Sequence, residues 1–91
     1  MKNKTSAKKP DADKVHVLED ALLRLASGEN DALAVIYDTC RVSVYGFALS
    51  ILKNSHDAED VMQDTFVKVF SEADRYQPQG KPLAWILTIT R

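Results

Sequence analysis

The sequence has one cysteine, two histidines and three glycines among its 91 residues. Because Cys40 is the only cysteine, it cannot form an internal disulfide, and we expect a reducing, cytoplasmic compartment. Two histidines without a cysteine pair do not form a metal-ligand cluster of the usual spacing, and the glycines do not form a phosphate-binding loop. We therefore predict no metal site and no other cofactor.

Long apolar segments and enzyme motifs are also missing. No stretch approaches the roughly 20 apolar residues that cross a bilayer, and the basic N-terminus is not followed by a signal-peptide core. We therefore expect no membrane insertion and no export by that route. His16, His56 and Cys40 could take part in catalysis, but none lies in a recognisable motif. The sequence predicts that the protein is not an enzyme and has no catalytic residue.

A large excess of one charge is absent as well, because the formal net charge is −1. This balance excludes a uniformly basic nucleic-acid-binding surface, but the charges are distributed unevenly. Residues 1–30 carry a net charge of +1, residues 31–74 carry −5, and residues 75–91 carry +3. An acidic middle followed by a short basic end indicates two surfaces of different chemistry.

The composition, 45% hydrophobic and 27% charged, is typical of one small globular domain. Residues 1–12 are polar and hold four lysines, and we predict a disordered tail there, with a nucleic-acid-binding arm as the alternative. Residues 13–91 have apolar side chains at helical spacing and show no strand-length alternation. They predict an all-α fold, a compact bundle of three to four helices.

The start and stop signals along the chain predict helices at about residues 13–27, 30–54, 57–70 and 82–91. Ser55 and Asp57 are both candidate N-caps of the third helix. Six residues of the second helix form a heptad-like seam: Leu33, Tyr37, Cys40, Val44, Phe47 and Ile51. Since Cys40 lies on this seam, we expect a buried side chain rather than a reactive thiol.

Two groups of residues are candidate binding surfaces. The third helix carries a carboxylate-rich face formed by Glu59, Asp60, Gln63 and Asp64. This face fits a basic partner, and the alternative is a solvated helix face with acids at the positive end of the helix dipole. The second group places cations beside aromatic rings with no acid among them, at Arg75, Tyr76, Lys81, Trp85 and Arg91. Such residues can neutralise phosphates and stack on unpaired bases, and the alternative is that Trp85 is a core anchor.

The order of several motifs resembles the second domain, region 2, of bacterial RNA polymerase sigma factors, and within these the extracytoplasmic-function (ECF) group. The motifs are the run from Ala58 to Phe66 (AEDVMQDTF), then Phe70, Tyr76 and Gly80, and the run from Ala84 to Ile89 (AWILTI). The preceding segments 36–37, 44–45 and 48–52 are also similar to that family's helix before the acidic motif. The resemblance covers about residues 31–91.

The resemblance implies a transcription initiation factor domain. Its third helix would dock on the clamp helices of the largest subunit of core RNA polymerase, with Asp60, Gln63 and Asp64 at matching contact positions and Glu59 beside them. Asp64 stands where many relatives have glutamate. The segment 75–91 would recognise and help to melt the minus-ten promoter element by holding its non-template strand. An anti-sigma factor is a further implied partner.

The family's recognition helix continues beyond the position of Arg91, so we expect residues 13–91 to be a sigma region 2 domain truncated at its C-terminal end. The alternative hypothesis is a small helical protein-interaction or dimerisation module with no DNA role. In that case the acidic face would bind another basic partner and all the aromatic side chains would belong to the core.

Overall fold

The computed structural model describes residues 10–90, in which the chain forms four α-helices, one short 3-10 turn and no strand. The helices are α1 (Pro10–Ala26), α2 (Ala32–Leu52), α3 (Ser55–Glu72) and α4 (Pro82–Thr90), and the 3-10 turn (Ala73–Arg75) follows α3 directly. The predicted all-α bundle is confirmed. Residues 1–9 of the predicted polar tail and the terminal Arg91 lie outside the described residues.

The boundaries of α1 depend on two residues with special backbone properties. The helix begins at Pro10, earlier than the predicted start near Asp13, and proline suits a first helical turn because that turn needs no N–H donor. At the other end Gly28 has φ +102° and donates its N–H to the Leu25 carbonyl at 3.0 Å. A left-handed residue of this kind stops a helix at little cost only when it is glycine.

The N-cap of α3 is Asn54, and the two predicted N-caps, Ser55 and Asp57, are wrong. Asn54 has an extended backbone, and its Oδ1 accepts a hydrogen bond from the Asp57 N–H at 2.9 Å. Lys53, just before it, is left-handed with φ 59° and donates its N–H to the Leu49 carbonyl at 2.8 Å, which ends α2. The chain therefore turns between the helices in two residues, so Ser55 already belongs to the first turn of α3.

The core is built around α2, which packs against α1, α3 and α4. Its buried residues are spaced by four: Ala32, Ile36, Cys40, Val44 and Ala48. The predicted seam is therefore displaced, because Leu33, Tyr37 and Phe47 are only partly buried and Ile51 is 54% exposed. A row of residues spaced by four is the ridge that packs into the grooves of crossing helices, whereas a seam of threes and fours belongs to a coiled coil.

Cys40 is buried at the centre of that row, as predicted. Its Sγ–H donates to the Ile36 carbonyl at 3.2 Å. Burial, only partly opposed by the nearby charge of Lys14, raises the pKa of the thiol to about 12. The side chain acts as a small apolar residue of the core, because the reactive thiolate is disfavoured there.

Helix α2 is also long and apolar enough, by length and composition, to cross a membrane. The expectation that no stretch approaches this limit is therefore wrong. Core helices of soluble proteins pass the same test, and α2 has neighbours in α1, α3 and α4. Its neighbours bury the row of residues spaced by four, whereas other apolar side chains of α2, including Val42 and Ile51, are exposed.

Candidate nucleic-acid and protein-binding surfaces

The loop after the 3-10 turn and the exposed side of α4 enclose a surface pocket of about 310 Å³. Its lining residues are Arg75, Tyr76, Gln77, Gln79, Lys81, Ala84, Trp85 and Thr88. Four of the five residues predicted to bind nucleic acid line this pocket, and the fifth, Arg91, lies outside the described residues. The volume is near the lower end of the range of about 300–1,000 Å³ found for small-molecule pockets.

Two aromatic side chains form the apolar part of the pocket. Tyr76 is 8% exposed, and its ring centroid lies 5.3 Å from that of Trp85, with the rings tilted by 58°. Trp85 is partly buried: it packs against the hydrophobic core and also lines the pocket. Its role as a core anchor therefore does not prevent it from offering ring surface to a ligand.

The polar part of the pocket is cationic. Arg75 and Lys81 are exposed, and among the residues whose side chains the structure describes no aspartate or glutamate lines the pocket. The side-chain amides of Gln77 and Gln79 add hydrogen-bond donors and acceptors. Cations suit phosphate oxygens, while amides can pair with the edge of a base.

The loop is tied to α1 by Glu19. The Tyr76 hydroxyl donates to Glu19 Oε1, and the Gly80 N–H donates to Glu19 Oε2 at 3.2 Å. Burial, and secondly the hydrogen bond to Glu19, raises the pKa of Tyr76 to about 12. Gly80 has φ +77°, a conformation that favours glycine. The sequence interpretation missed Glu19, because nothing in the local pattern of α1 distinguishes it from Asp20.

The carboxylate-rich face of α3 is present as predicted, with all four of its residues exposed: Glu59, Asp60, Gln63 and Asp64. Asp64 Oδ2 lies 3.2 Å from Lys68 Nζ, an exposed salt bridge of little energetic weight. Within the described part of the chain Asp60 forms no salt bridge, so its charge is available to a partner.

An apolar groove adjoins this face. Gln63 lines it together with four apolar residues, Leu33, Phe66, Val67 and Phe70. Val67 is 67% exposed and Phe70 is 47% exposed. The ring of Phe70, one of the residues that carry the resemblance, therefore lies at the surface. Apolar side chains beside a charged rim are the usual composition of a protein interface.

The fold and these two surfaces fit a helical domain of the sigma factor type, and the comparison with known families agrees. The model of sigma-70 region 2 matches residues 36–91. The chain belongs to the sigma-70 region 2 family, and the resemblance to region 2 of ECF sigma factors is confirmed.

Among curated proteins the chain is similar to several mycobacterial sigma factors. It is 39% identical over 72 residues to ECF RNA polymerase sigma factor SigK of Mycobacterium sp. (strain KMS), an alignment that covers 77% of this chain and 37% of the relative. It is also 39% identical to SigK of Mycobacterium ulcerans (strain Agy99), with 77% of this chain and 38% of the relative aligned. It is 38% identical to SigK of Mycolicibacterium vanbaalenii, with 77% of this chain and 37% of the relative aligned. The chain thus spans little more than a third of these relatives, and no solved structure matches it significantly.

Proposed function

We propose that this chain is the polymerase-docking and promoter-opening module of a sigma factor that acts in the cytoplasm during transcription initiation. The carboxylate-rich face of α3 docks on the clamp helices of the largest polymerase subunit. The pocket formed by the loop and α4 receives an unpaired base from the non-template strand of the minus-ten element. The chain acts as a specificity factor, and the chemistry belongs to the polymerase.

The observation that carries this proposal is the convergence of Arg75, Tyr76, Lys81 and Trp85 on one cationic, aromatic pocket within the family-matched segment. A base stacked on an aromatic ring gains about 1–3 kcal/mol, which offsets the few kcal/mol that unstacking costs. Arg75 and Lys81 would neutralise the adjoining phosphates. The geometry therefore suits capture of a base that has already left the duplex.

Docking is supported by charge and by apolar area together. Asp60 and Asp64 lie one turn apart on the rigid helix α3, so both can pair with arginine or lysine side chains across an interface. The groove that includes Val67 and Phe70 offers apolar surface to be buried beside these charges. Charge pairs of this kind select the partner and its orientation, whereas apolar contacts exclude water around them.

The proposed docking of α3 is tested by co-purification of the chain with core RNA polymerase. We expect Asp60→Lys and Asp64→Lys each to weaken the complex by at least about tenfold, because each places a cation against a basic partner. The control is Asp38→Lys, the same change at an exposed position of α2, which should bind as the unaltered chain does. If neither Asp60→Lys nor Asp64→Lys weakens binding to the polymerase, docking through this face is contradicted.

The DNA arm is tested through the fluorescence of Trp85, the only tryptophan. Short single-stranded oligonucleotides covering all four bases should change the signal at low salt, and at least one should bind more tightly than an abasic backbone of equal length. Lys81→Ala should flatten the slope of log affinity against log salt by about 0.7, as expected for one lost phosphate contact. Lys68→Ala, on α3 outside the pocket, should leave the slope unchanged.

The alternative, a helical interaction or dimerisation module without a DNA role, is not favoured by the family match. It predicts an unchanged fluorescence signal with every oligonucleotide, no retention in filter binding and self-association in sedimentation. Together these results would overturn the proposal that the pocket binds an unpaired base.

A further inference from the structure

We infer that Glu19 is a positioning residue for base recognition, which holds the loop of residues 76–81 in the shape that forms the pocket. This inference rests on the function proposed above for that pocket. Glu19 does not line the pocket itself. It acts through Tyr76 and Gly80, whose hydrogen bonds engage one carboxylate oxygen each.

Glu19 is well placed to hold the loop because its own backbone belongs to the core-packed helix α1. The residue before it, Leu18, is 2% exposed, and Leu22 on the next turn is fully buried, so this part of α1 cannot shift without disturbing the core. The Glu19 side chain is itself partly buried. A carboxylate that is held on a fixed helix and accepts two hydrogen bonds from the loop is a strong and directional anchor.

The loop needs such an anchor because its own sequence gives it little regular structure. Residues 77–81 are exposed and include Pro78 and Gly80. The backbone contacts at its two ends join neighbours along the chain: the Tyr76 N–H donates to the Ala73 carbonyl, and the Trp85 N–H to the Lys81 carbonyl. The two bonds to Glu19 instead span 57 and 61 residues, and they connect the loop to another helix.

Engagement with Glu19 also determines which part of Tyr76 faces a ligand. Because the hydroxyl donates to Glu19, Tyr76 contributes its ring to the pocket while its polar end serves the fold. The ring in turn packs against Trp85 at a centroid distance of 5.3 Å. Loss of the carboxylate would therefore release both the loop backbone at Gly80 and the aromatic pair.

The test compares base-dependent and backbone-only binding of the 91-residue chain. Trp85 fluorescence is titrated with the tightest-binding oligonucleotide and with an abasic backbone of equal length. We expect Glu19→Ala to weaken binding of the base-containing strand by at least about tenfold, the scale of a lost hydrogen bond to a charged group. Binding of the abasic backbone should change by less than about twofold, as expected for a site away from the phosphates.

Two further variants separate positioning from a general loss of structure. Glu19→Gln retains an acceptor for the Tyr76 hydroxyl and should restore part of the base-dependent affinity. Tyr76→Phe should weaken base binding, and the double variant Glu19→Ala/Tyr76→Phe should be no worse than Glu19→Ala alone, because both changes break the same hydrogen bond. Asp20→Ala is the charge-matched control and should bind both ligands as the unaltered chain does. If Glu19→Ala fails to fold by circular dichroism, Glu19→Gln and Tyr76→Phe carry the same test.

The outcomes distinguish this inference from the function on which it rests. An unaltered chain that binds the base-containing and abasic strands equally overturns the proposed function of the pocket, and the inference falls with it. A base-dependent unaltered chain whose Glu19 variants behave like Asp20→Ala overturns the inference alone. Equal losses on both strands in Glu19→Ala also overturn it, because they show a general effect on the fold.

Discussion

Two polar side chains, those of Asn54 and Glu19, stabilise local backbone conformations that the spacing of apolar residues does not predict. Asn54 accepts the Asp57 N–H, so one of the N–H groups that lack a partner at the start of α3 is satisfied. The neighbouring Ser55 lies inside the first turn and makes no cap. Glu19 has the same kind of role for the loop, because it accepts one hydrogen bond from the Tyr76 hydroxyl and one from the Gly80 N–H.

The cap of α3 makes a direct prediction about stability. Asn54→Ala should lower the free energy of unfolding by about 1 kcal/mol, because it removes the acceptor for a backbone N–H at the helix start. Ser55→Ala is the matched control and should change it by less than about 0.5 kcal/mol. Urea unfolding followed by circular dichroism measures both. A larger loss for Ser55→Ala than for Asn54→Ala would contradict the assignment of the cap.

At the scale of elements, the two long helices α2 and α3 are joined by a very short turn, and α2 carries a glycine in its interior. Gly46 is exposed, has a negative φ, and a Cβ added there would meet no atom within 4 Å beyond the adjoining residues and backbone of its own helix. It therefore makes no close helix contact that would require glycine. Gly28, by contrast, has φ +102° at the end of α1.

The difference between these glycines predicts opposite effects of the same substitution. Gly46→Ala should raise the free energy of unfolding by about 1 kcal/mol, since alanine loses less backbone entropy in a helix and has free space here. Gly28→Ala should lower it, because alanine is strained at a positive φ. Both are measured by urea denaturation. If Gly46→Ala is less stable than the unaltered chain, α2 needs glycine at this position for a reason other than the space available to a Cβ.

At the scale of the whole molecule, charge and burial divide the bundle into regions. The acidic face lies on α3, whereas the cationic pocket lies on the loop and α4, so a nearly neutral chain presents two oppositely charged surfaces. Burial also makes two groups resist ionisation. Cys40 lies in the core and Tyr76 in the wall of the pocket, and the pKa of each is raised to about 12.

These raised pKa values predict how the stability of the fold depends on alkaline pH. The pKa of Tyr76 rises from its ordinary value of 10 to about 12 on folding, so the unfolded chain loses this proton first. The contribution to stability is complete below pH 10 and is lost as the pH rises through about 12. Urea unfolding across this range should show a smaller decline for Tyr76→Phe than for the unaltered chain. The ionisation of Cys40 lowers stability in the same way in the unaltered chain and in Tyr76→Phe, so the difference between the two declines reports on Tyr76 alone. If stability falls equally steeply with pH in both, the buried, hydrogen-bonded state of Tyr76 is contradicted.

Much of the candidate nucleic-acid site could be predicted because its residues lie close together in the chain. These residues, Arg75, Tyr76, Lys81 and Trp85, fall at the end of the 3-10 turn, in the loop after it and in α4, so their association follows from local structure. The loop itself was recognisable from its prolines and glycine. Glu19 could not be found in this way, because its partners are more than fifty residues distant and an acid on a helix is ordinarily solvated.

The amino-acid pattern alone predicts that the chain is all-α, where its helices lie to within a few residues, and which segments are acidic and which are basic and aromatic. These properties depend on periodicity, turn residues and charge, which act over a few neighbours. The packing of the helices was needed to show that α2 buries the row through Ile36 and Val44, that Phe70 lies at the surface, and that Glu19 accepts hydrogen bonds from the loop. The physical reason is that burial and long-range hydrogen bonds depend on which helices cross and where, and no local pattern specifies those crossings.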